Sequence, residues 1–128
     1  MIAKAEMMLL LGQACPSFRS RLARSATSWQ DEDESMVHAV LDELGRHVIA
    51  LVGRDETASL PATFAVIERL HLEGDPWVRE SAAFHLLEVL HTNRFHHTTK
   101  PEQLRPHLGP ESESAWDALD AFPDDDHE

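Results

Sequence analysis

The sequence has one cysteine, few basic side chains and no long apolar run, and each shortage excludes a class of protein. The single Cys15 rules out an intramolecular disulfide framework. Eleven lysines and arginines stand against 23 acidic residues, a net charge of −12, so the chain lacks the basic face that nucleic-acid binding requires. No apolar run approaches the ~18 residues of a membrane span. The run 7–11 is also shorter than the ~7–15 apolar residues of a secretory signal. We therefore expect a cytoplasmic protein that binds neither nucleic acid nor membrane.

Motifs of covalent and phosphate chemistry are missing as well. The sequence contains no Gly-x-Ser-x-Gly elbow, and its five scattered glycines form no phosphate-binding loop. Cys15 precedes Pro16 and has no histidine near it in the sequence, so it lacks the usual base of a cysteine nucleophile. We therefore expect a protein that is not an enzyme and that carries no cofactor.

Apolar residues recur at helical spacing through the middle of the chain. The clearest stripe, with spacings that alternate between four and three residues, consists of Val37, Leu41, Leu44, Val48 and Leu51. It predicts an amphipathic helix over 36–53, capped by Ser35 and ended by Gly53. Two further helices are predicted over 59–72 and 75–91, and the short connection through Gly74 makes them an antiparallel hairpin.

The two flanks give weaker patterns. Helices are predicted over 2–13 and 17–27, followed by a loop over 28–34. Thr99 and Glu102 have the spacing of a capping box for a short helix near 100–107, and Gly109-Pro110 opens a last helix with an inward stripe that ends at Phe122. No alternating strand pattern competes with these helices. The prediction is an all-α fold of about five to seven helices, with one domain over 1–122 and a disordered acidic tail over 123–128.

The segment 75–90 resembles the second helix of a HEAT repeat, whose pattern runs Asp-Pro, Val-Arg, Ala and Leu. Asp75-Pro76, Val78-Arg79, Ala82 and Leu86 occupy those positions. The resemblance implies HEAT- or armadillo-like antiparallel hairpins, packed as a short α-α superhelix or a compact bundle.

The segment Leu-Gly-Pro-Glu-Ser at 108–112 leads into Trp116 and is the most specific part of a wider resemblance over about residues 36–122. Over that range the chain resembles a small bacterial all-α family of unknown function that occurs among proposed immunity proteins of polymorphic toxins. It implies a helical fold and an immunity function, and it supplies no catalytic residues.

Nine histidines raise the question of a metal site. Glu68 with His71, and Glu88 with His91, form two Glu-x-x-His motifs on consecutive helices, a pattern that carboxylate-bridged metal centres use. Both motifs lie near the C-terminal ends of antiparallel helices, which separates them. The His-rich stretch 91–97 is a second place where zinc could bind. No Cys cluster or His-Glu-x-x-His motif accompanies either one, so the sequence predicts no metal site and leaves these residues as weak candidates.

Acidic residues near predicted loops and helix ends are candidates for contacting a basic partner. They are Asp31, Glu32, Asp33, Glu34, Asp55, Glu56, Glu73 and Asp75. Trp77, in the first turn of its helix, is the candidate anchor, because tryptophan is enriched at binding hot spots. The leading hypothesis is a protein-binding domain, in its specific form an immunity protein that neutralises a basic toxin. The alternatives are a metal-binding helical bundle and a homo-oligomeric scaffold.

Overall fold

The fold is all-α, as predicted, in a computed structural model that describes residues 1–121 apart from the side chains of Ala26 and Asn93. Within those residues helices and turns account for the regular structure, and there is no β-strand. None of the helices in this range has both the length and the hydropathy that crossing a membrane requires. Phe122 and the predicted tail 123–128 lie outside the described residues.

The helices follow one another in chain order, with short 3₁₀ turns between some of them. They are α1 Lys4–Ala14, α2 Arg19–Leu22, α3 Ala26–Gln30, α4 Glu34–Gly53, α5 Leu60–Glu73, α6 Pro76–Ser81, α7 Glu88–His91 and α8 Pro110–Ala121. A π-helical segment, Ala82–Leu87, joins α6 to α7. The 3₁₀ turns are Pro16–Phe18, Asn93–Phe95, Pro101–Gln103 and Arg105–His107.

The predicted helix over 17–27 is wrong. The chain instead forms a 3₁₀ turn and the four-residue α2. Helix α3 then begins at Ala26 and extends into the stretch 28–34, which was expected to be a loop. The Ser25 hydroxyl accepts a hydrogen bond from the Ser28 N–H and starts the new helix. Trp29 is fully buried, and its indole Nε1–H donates to the Leu22 carbonyl at 3.1 Å. Burying this side chain therefore requires the bend between α2 and α3.

Helix α4 confirms the predicted stripe, since all five of its members are buried. Its start differs, because Asp33 and not Ser35 is the N-cap. The Asp33 carboxylate accepts from both the N–H and the hydroxyl of Ser35, at 2.7 and 2.6 Å. Asp33 lies two residues before Ser35, and its carboxylate is the stronger acceptor.

The core forms where α4 lies along the π segment and α7, while α8 packs against α5, the π segment and α7. Gly45 allows the first of these contacts. A Cβ at Gly45 would lie 2.8 Å from Cγ1 of Val89, which is closer than two carbon atoms approach. Helices α1 and α5 close the other side of the core.

The N-terminal residues are fastened to the turn between α5 and α6. The Ile2 N–H donates to the Glu73 carbonyl at 2.7 Å, and the Asp75 N–H donates to the Ile2 carbonyl at 2.9 Å. Ile2 is buried at this contact. The hairpin turn through Gly74 is therefore held from outside the hairpin, by two backbone hydrogen bonds.

The segment near 100–107 forms two 3₁₀ turns in place of one short helix. Thr99 and Glu102 do not make the expected capping box. The Gln103 side chain instead accepts from the Lys100 N–H at 2.7 Å, one position further along, while the Thr99 hydroxyl contacts His96. Pro101 and Pro106 lack the N–H groups that an unbroken helix needs.

Candidate functional site

Two of the predicted partner-binding acids are helix caps. Asp33 caps α4 as described above, and the hydroxyl and N–H of Ser35 lower the pKa of its carboxyl group. Asp75 caps α6, where its carboxylate accepts from the Val78 N–H at 2.8 Å. Both side chains therefore stabilise the fold and offer only part of their charge to a partner.

Three further acids of that set are bound to arginines. The ion pairs are Glu32 with Arg24 at 2.8 Å, Glu56 with Arg54 at 2.8 Å and Glu73 with Arg69 at 3.1 Å. The arginine hydrogen bonds lower the pKa of the Glu32 and Glu73 carboxyl groups. Each pair offsets the charge of one candidate.

Asp31, Glu34 and Asp55 complete the set, and all three are exposed. Asp55 has a positive φ of 59°, a left-handed conformation that aspartate tolerates better than most residues. No ion pair involves these three acids within the part of the chain that the structure describes. They are the members of the predicted set that keep an uncompensated charge.

Trp77 lies at one end of a stack of rings. Its indole packs face to face on the imidazole of His38, with ring centroids 5.0 Å apart and planes at 14°. The other face of His38 lies on His85, at 3.7 Å and 8°. Trp77 is half-buried. We call the surface formed by this stack the imidazole–aromatic patch, defined by His38, Trp77, Ser81, Phe84 and His85.

Hydrogen bonds fix the orientation of the central ring. The Ser81 hydroxyl donates to the Trp77 carbonyl at 2.8 Å, so its oxygen must accept from Nε2 of His38 at 3.1 Å. This polarity is opposite to that of a nucleophile and its base, in which the hydroxyl donates to the imidazole. Burial lowers the pKa of His38, and the neighbouring His85 lowers it further. A neutral His38 is therefore favoured in the folded protein.

The edge of the patch combines an exposed ring with carboxylates. Phe84 lies in the π segment and is 55% exposed. It borders a cleft of about 190 Å³ that is also lined by Glu80 and the ring stack. Asp42 approaches Nδ1 of His85 at 3.6 Å. An aromatic centre with an acidic edge is an arrangement that suits contact with another molecule.

Sequence reasoning found Trp77 and missed the other members of the patch. Trp77, Ser81 and His85 recur every four residues, and His38 and Asp42 have the same spacing on α4, so each set shares a helix face. That periodicity was available as a signal. The pairing of the two faces, however, depends on how α4 packs against α6 and the π segment.

The first Glu-x-x-His motif holds α8 in place. The Glu68 carboxylate accepts from the N–H groups of Glu111 and Ser112 at 2.8 and 3.0 Å, so α5 provides the N-terminal cap of α8. Burial alone would raise the pKa of Glu68, but these backbone donors outweigh burial and the pKa is lowered. Gly109 is required here, because a Cβ at this position would lie 2.5 Å from the Glu68 carboxylate.

The second motif holds the other end of α8. Nε2 of His91 lies 2.6 Å from Oδ1 of Asp120, and Arg105 bonds to Asp117 and Asp120 on the same helix. Glu111 and Asp120 are separated by nine positions, or about 13 Å at ~1.5 Å per residue. Glu68 and His91 therefore act at opposite ends of α8.

The structure does not bring the four candidate metal ligands together. Among residues 1–121 no group of three or more His, Cys, Asp or Glu side chains is arranged to hold a metal ion. His71 belongs to the first Glu-x-x-His motif, and its Nε2 is buried without a hydrogen-bond partner. Burial lowers the pKa of this imidazole, which favours the neutral ring.

A second imidazole and hydroxyl meet near Cys15. Nε2 of His47 lies 2.7 Å from the Ser17 hydroxyl, and Sγ of Cys15 is 3.9 Å from the same oxygen. Cys15 itself is fully buried, and in the described part of the chain no carboxylate bonds to His47. The orienting acid of a catalytic triad is thus missing from this pair.

The sequence was also compared with known proteins. A family model described as a domain of unknown function, DUF7674, matches residues 8–122. The chain belongs to the DUF7674 family. The matched range includes the whole imidazole–aromatic patch and the contacts of Glu68 and His91 with α8. Ile2, which contacts the α5–α6 turn, lies before the matched range. No curated protein and no solved structure matches the chain.

Proposed function

We propose that this DUF7674 domain is a non-enzymatic, protein-binding domain, and that the imidazole–aromatic patch contacts a partner with a basic surface. The exposure of Phe84 is the observation that carries the proposal. A ring that is 55% exposed beside half-buried Trp77 exposes apolar area that a partner can cover. Aromatic residues supply most of the binding energy at many interfaces.

The charge around the patch supports a basic partner. Glu34 and Asp42 lie on α4 close enough to His38 to raise its pKa against the effect of burial, and Glu80 lines the cleft. With a net charge of −12, the protein attracts cationic partners over a long range. A carboxylate edge then orients them around the aromatic centre.

The specific form of the proposal is an immunity protein, acting in the cytoplasm against a basic toxin. Its support is the resemblance through the Leu-Gly-Pro-Glu-Ser segment, together with the acidic charge. The HEAT-like packing of α5 with α6–α7 is likewise proposed, supported by the Asp75 cap and by the burial of Val78, Ala82 and Leu86.

The test uses the product of the neighbouring gene as the candidate partner. We expect it to form a complex with the full chain, and Trp77→Ala and Phe84→Ala each to weaken binding by about tenfold or more. Leu72→Ala is the matched control, since Leu72 is 54% exposed and lies outside the patch. If the candidate is a toxin, co-expression should relieve its toxicity.

Three results would overturn the proposal or redirect it. If no complex forms, or if Leu72→Ala weakens binding as much as Phe84→Ala does, the patch is not the binding surface. If light scattering shows an oligomer that Phe84→Ala dissociates, the patch covers a second copy of this chain, and the scaffold alternative replaces the partner.

A further inference from the structure

A cleft of about 340 Å³ lies between the C-terminal half of α4 and the loop that follows α7, on a different surface from the imidazole–aromatic patch. Its lining includes Arg46 and Ile49 from α4, Arg54 directly after that helix, and Phe95, His97 and Thr98 from the loop. Arg46, Ile49 and Gly53 are spaced by three and four residues, so one face of α4 forms the wall.

The charge of this cleft is opposite to that of the protein. No carboxylate lines it, whereas two arginines and one histidine do. Within the described residues Arg46 forms no ion pair or hydrogen bond. Arg54 bonds to Glu56 through Nε alone, so its two terminal nitrogens keep their donors. In a chain with a net charge of −12, the lining of this cleft therefore carries a local positive charge.

The floor of the cleft is apolar. The Arg46 guanidinium lies 5.7 Å from the centre of the Phe95 ring, and Ile49 is buried beside it. A ligand whose anionic group reaches the arginines would therefore lie with the rest of its body on Phe95 and Ile49. Pockets of this kind, apolar with a few polar groups, are typical of small-molecule sites.

The loop is held in position before any ligand binds. Nε2 of His96 donates to the Leu90 carbonyl at 2.8 Å, and Nδ1 contacts the Thr99 hydroxyl at 2.6 Å. Thr98 lies so close to α4 that a Cβ at Gly53 would be 3.2 Å from its hydroxyl oxygen. The loop that carries Phe95 and Thr98 is thus preorganised, which lowers the entropic cost of binding.

We propose that this cleft binds a small organic anion, with a phosphate or carboxylate group held by Arg46, Arg54 and the Thr98 hydroxyl and an apolar body on Phe95 and Ile49. Guanidinium groups recognise both kinds of oxyanion through paired N–H donors. The site is independent of the protein-binding proposal, because the ligand has the opposite charge to the proposed partner.

Titration of the ¹⁵N-labelled full chain, at constant ionic strength, tests the proposal with three probes. The probes are phenyl phosphate, benzoate and inorganic phosphate, and the readout is the backbone amide shifts of Gly53 and Thr98. We expect saturable shifts with phenyl phosphate, benzoate or both at millimolar concentration, and weaker binding of inorganic phosphate, which lacks the apolar body. Which of the first two binds more tightly identifies the oxyanion.

Variants separate a site from general attraction of anions. Arg46→Ala should weaken binding about tenfold, since a hydrogen bond to a charged group is lost, and Arg54→Ala should also weaken it. Arg19→Ala is the matched control, because Arg19 is exposed and lies outside the cleft. The proposal is overturned if the shifts do not saturate, or if Arg19→Ala weakens binding as much as Arg46→Ala. Unchanged spectra of the free variants exclude misfolding as the cause.

Discussion

Replacing Glu68 should detach the N-terminal end of α8 from α5. The carboxylate accepts hydrogen bonds from two backbone N–H groups of α8, at 2.8 and 3.0 Å. These N–H groups belong to the first turn of α8, where the donors find no acceptor within the helix. Loss of an N-cap costs about 0.5–2 kcal/mol, and hydrogen bonds to a charged acceptor lie at the upper end of the usual range. We therefore expect Glu68→Ala to lower the free energy of unfolding by about 2 kcal/mol.

Urea denaturation at pH 7, followed by circular dichroism and by tryptophan fluorescence, measures this change. For a chain of this size 2 kcal/mol corresponds to a decrease in Tm of about 6–10 °C. Glu68→Gln should cost less than Glu68→Ala, since the amide retains one acceptor oxygen but no charge. Glu102→Gln is the matched control, because Glu102 is exposed and caps no helix.

The effect should also depend on pH in a defined direction. The pKa of Glu68 is lowered in the folded protein from a usual value of 4.5, so the carboxylate contributes stability above the unfolded pKa. That contribution is lost as the pH falls through the folded pKa, and the difference between wild type and Glu68→Gln should shrink in acid. An ordinary surface substitution changes the free energy of unfolding by less than about 0.5 kcal/mol. If the free energies of unfolding of Glu68→Ala and wild type differ by no more than that at pH 7, the capping interpretation is refuted.

Two further predictions concern the α5–α6 turn and a buried histidine. Gly74→Ala should destabilise the protein by about 1–3 kcal/mol, because the new Cβ would lie 2.5 Å from the Leu70 carbonyl oxygen. Gly12→Ala is the control, since its Cβ would meet no atom closer than 3.4 Å. In urea denaturation this control should be neutral or stabilising. Burial lowers the pKa of His71 below its usual 6.5, so the unfolded chain binds more protons and stability should fall as the pH decreases below about 6.5. Urea midpoints between pH 7.5 and 5.5 measure this slope. His71→Gln should reduce the slope without abolishing it, because burial also lowers the pKa of His38 and His47. An equal slope in the variant would mean that His71 does not contribute.

The central helices were predictable because residues that start or stop a helix lie at their ends. The stripe of α4 followed from apolar spacing, and the end of that helix followed from the glycine at position 53. Gly74 and Asp75 marked the hairpin turn, and the structure places helix ends within two residues of the predictions there. These signals are local, since a helix face, a cap and a breaker act within one or two turns of the chain.

The features that the sequence did not reveal depend on contacts between distant segments. The break between α2 and α3 exists because Trp29 is buried and donates to Leu22. The π-helical segment lies within a stretch of continuous helical periodicity, so apolar spacing gives no sign of it. The same holds for the candidate site, where Trp77 was predicted but its stacking on His38 follows from the packing of α4 against α6.

The Glu-x-x-His motifs show how one pattern supports two different structures. A shared metal would need all four side chains on one side of the bundle, whereas Glu68 and His91 bind opposite ends of α8. The spacing of three residues is useful in both cases because it puts both side chains on one helix face. What decides between them is the direction of the neighbouring helix, which a motif of four residues cannot specify.

The count of 23 acidic residues overstates the acidic surface that a partner meets. Five of the eight predicted acids cap a helix or pair with an arginine, among them Asp33, Asp75 and Glu73. Exposed ion pairs contribute little to stability, but each one cancels a charge that would otherwise attract a cation. Three carboxylates lie at the edge of the imidazole–aromatic patch, Glu34 and Asp42 on α4 and Glu80 beside Phe84. Neutralising these three should therefore reduce the association rate of a basic partner more than neutralising three paired acids, although both changes alter the net charge equally.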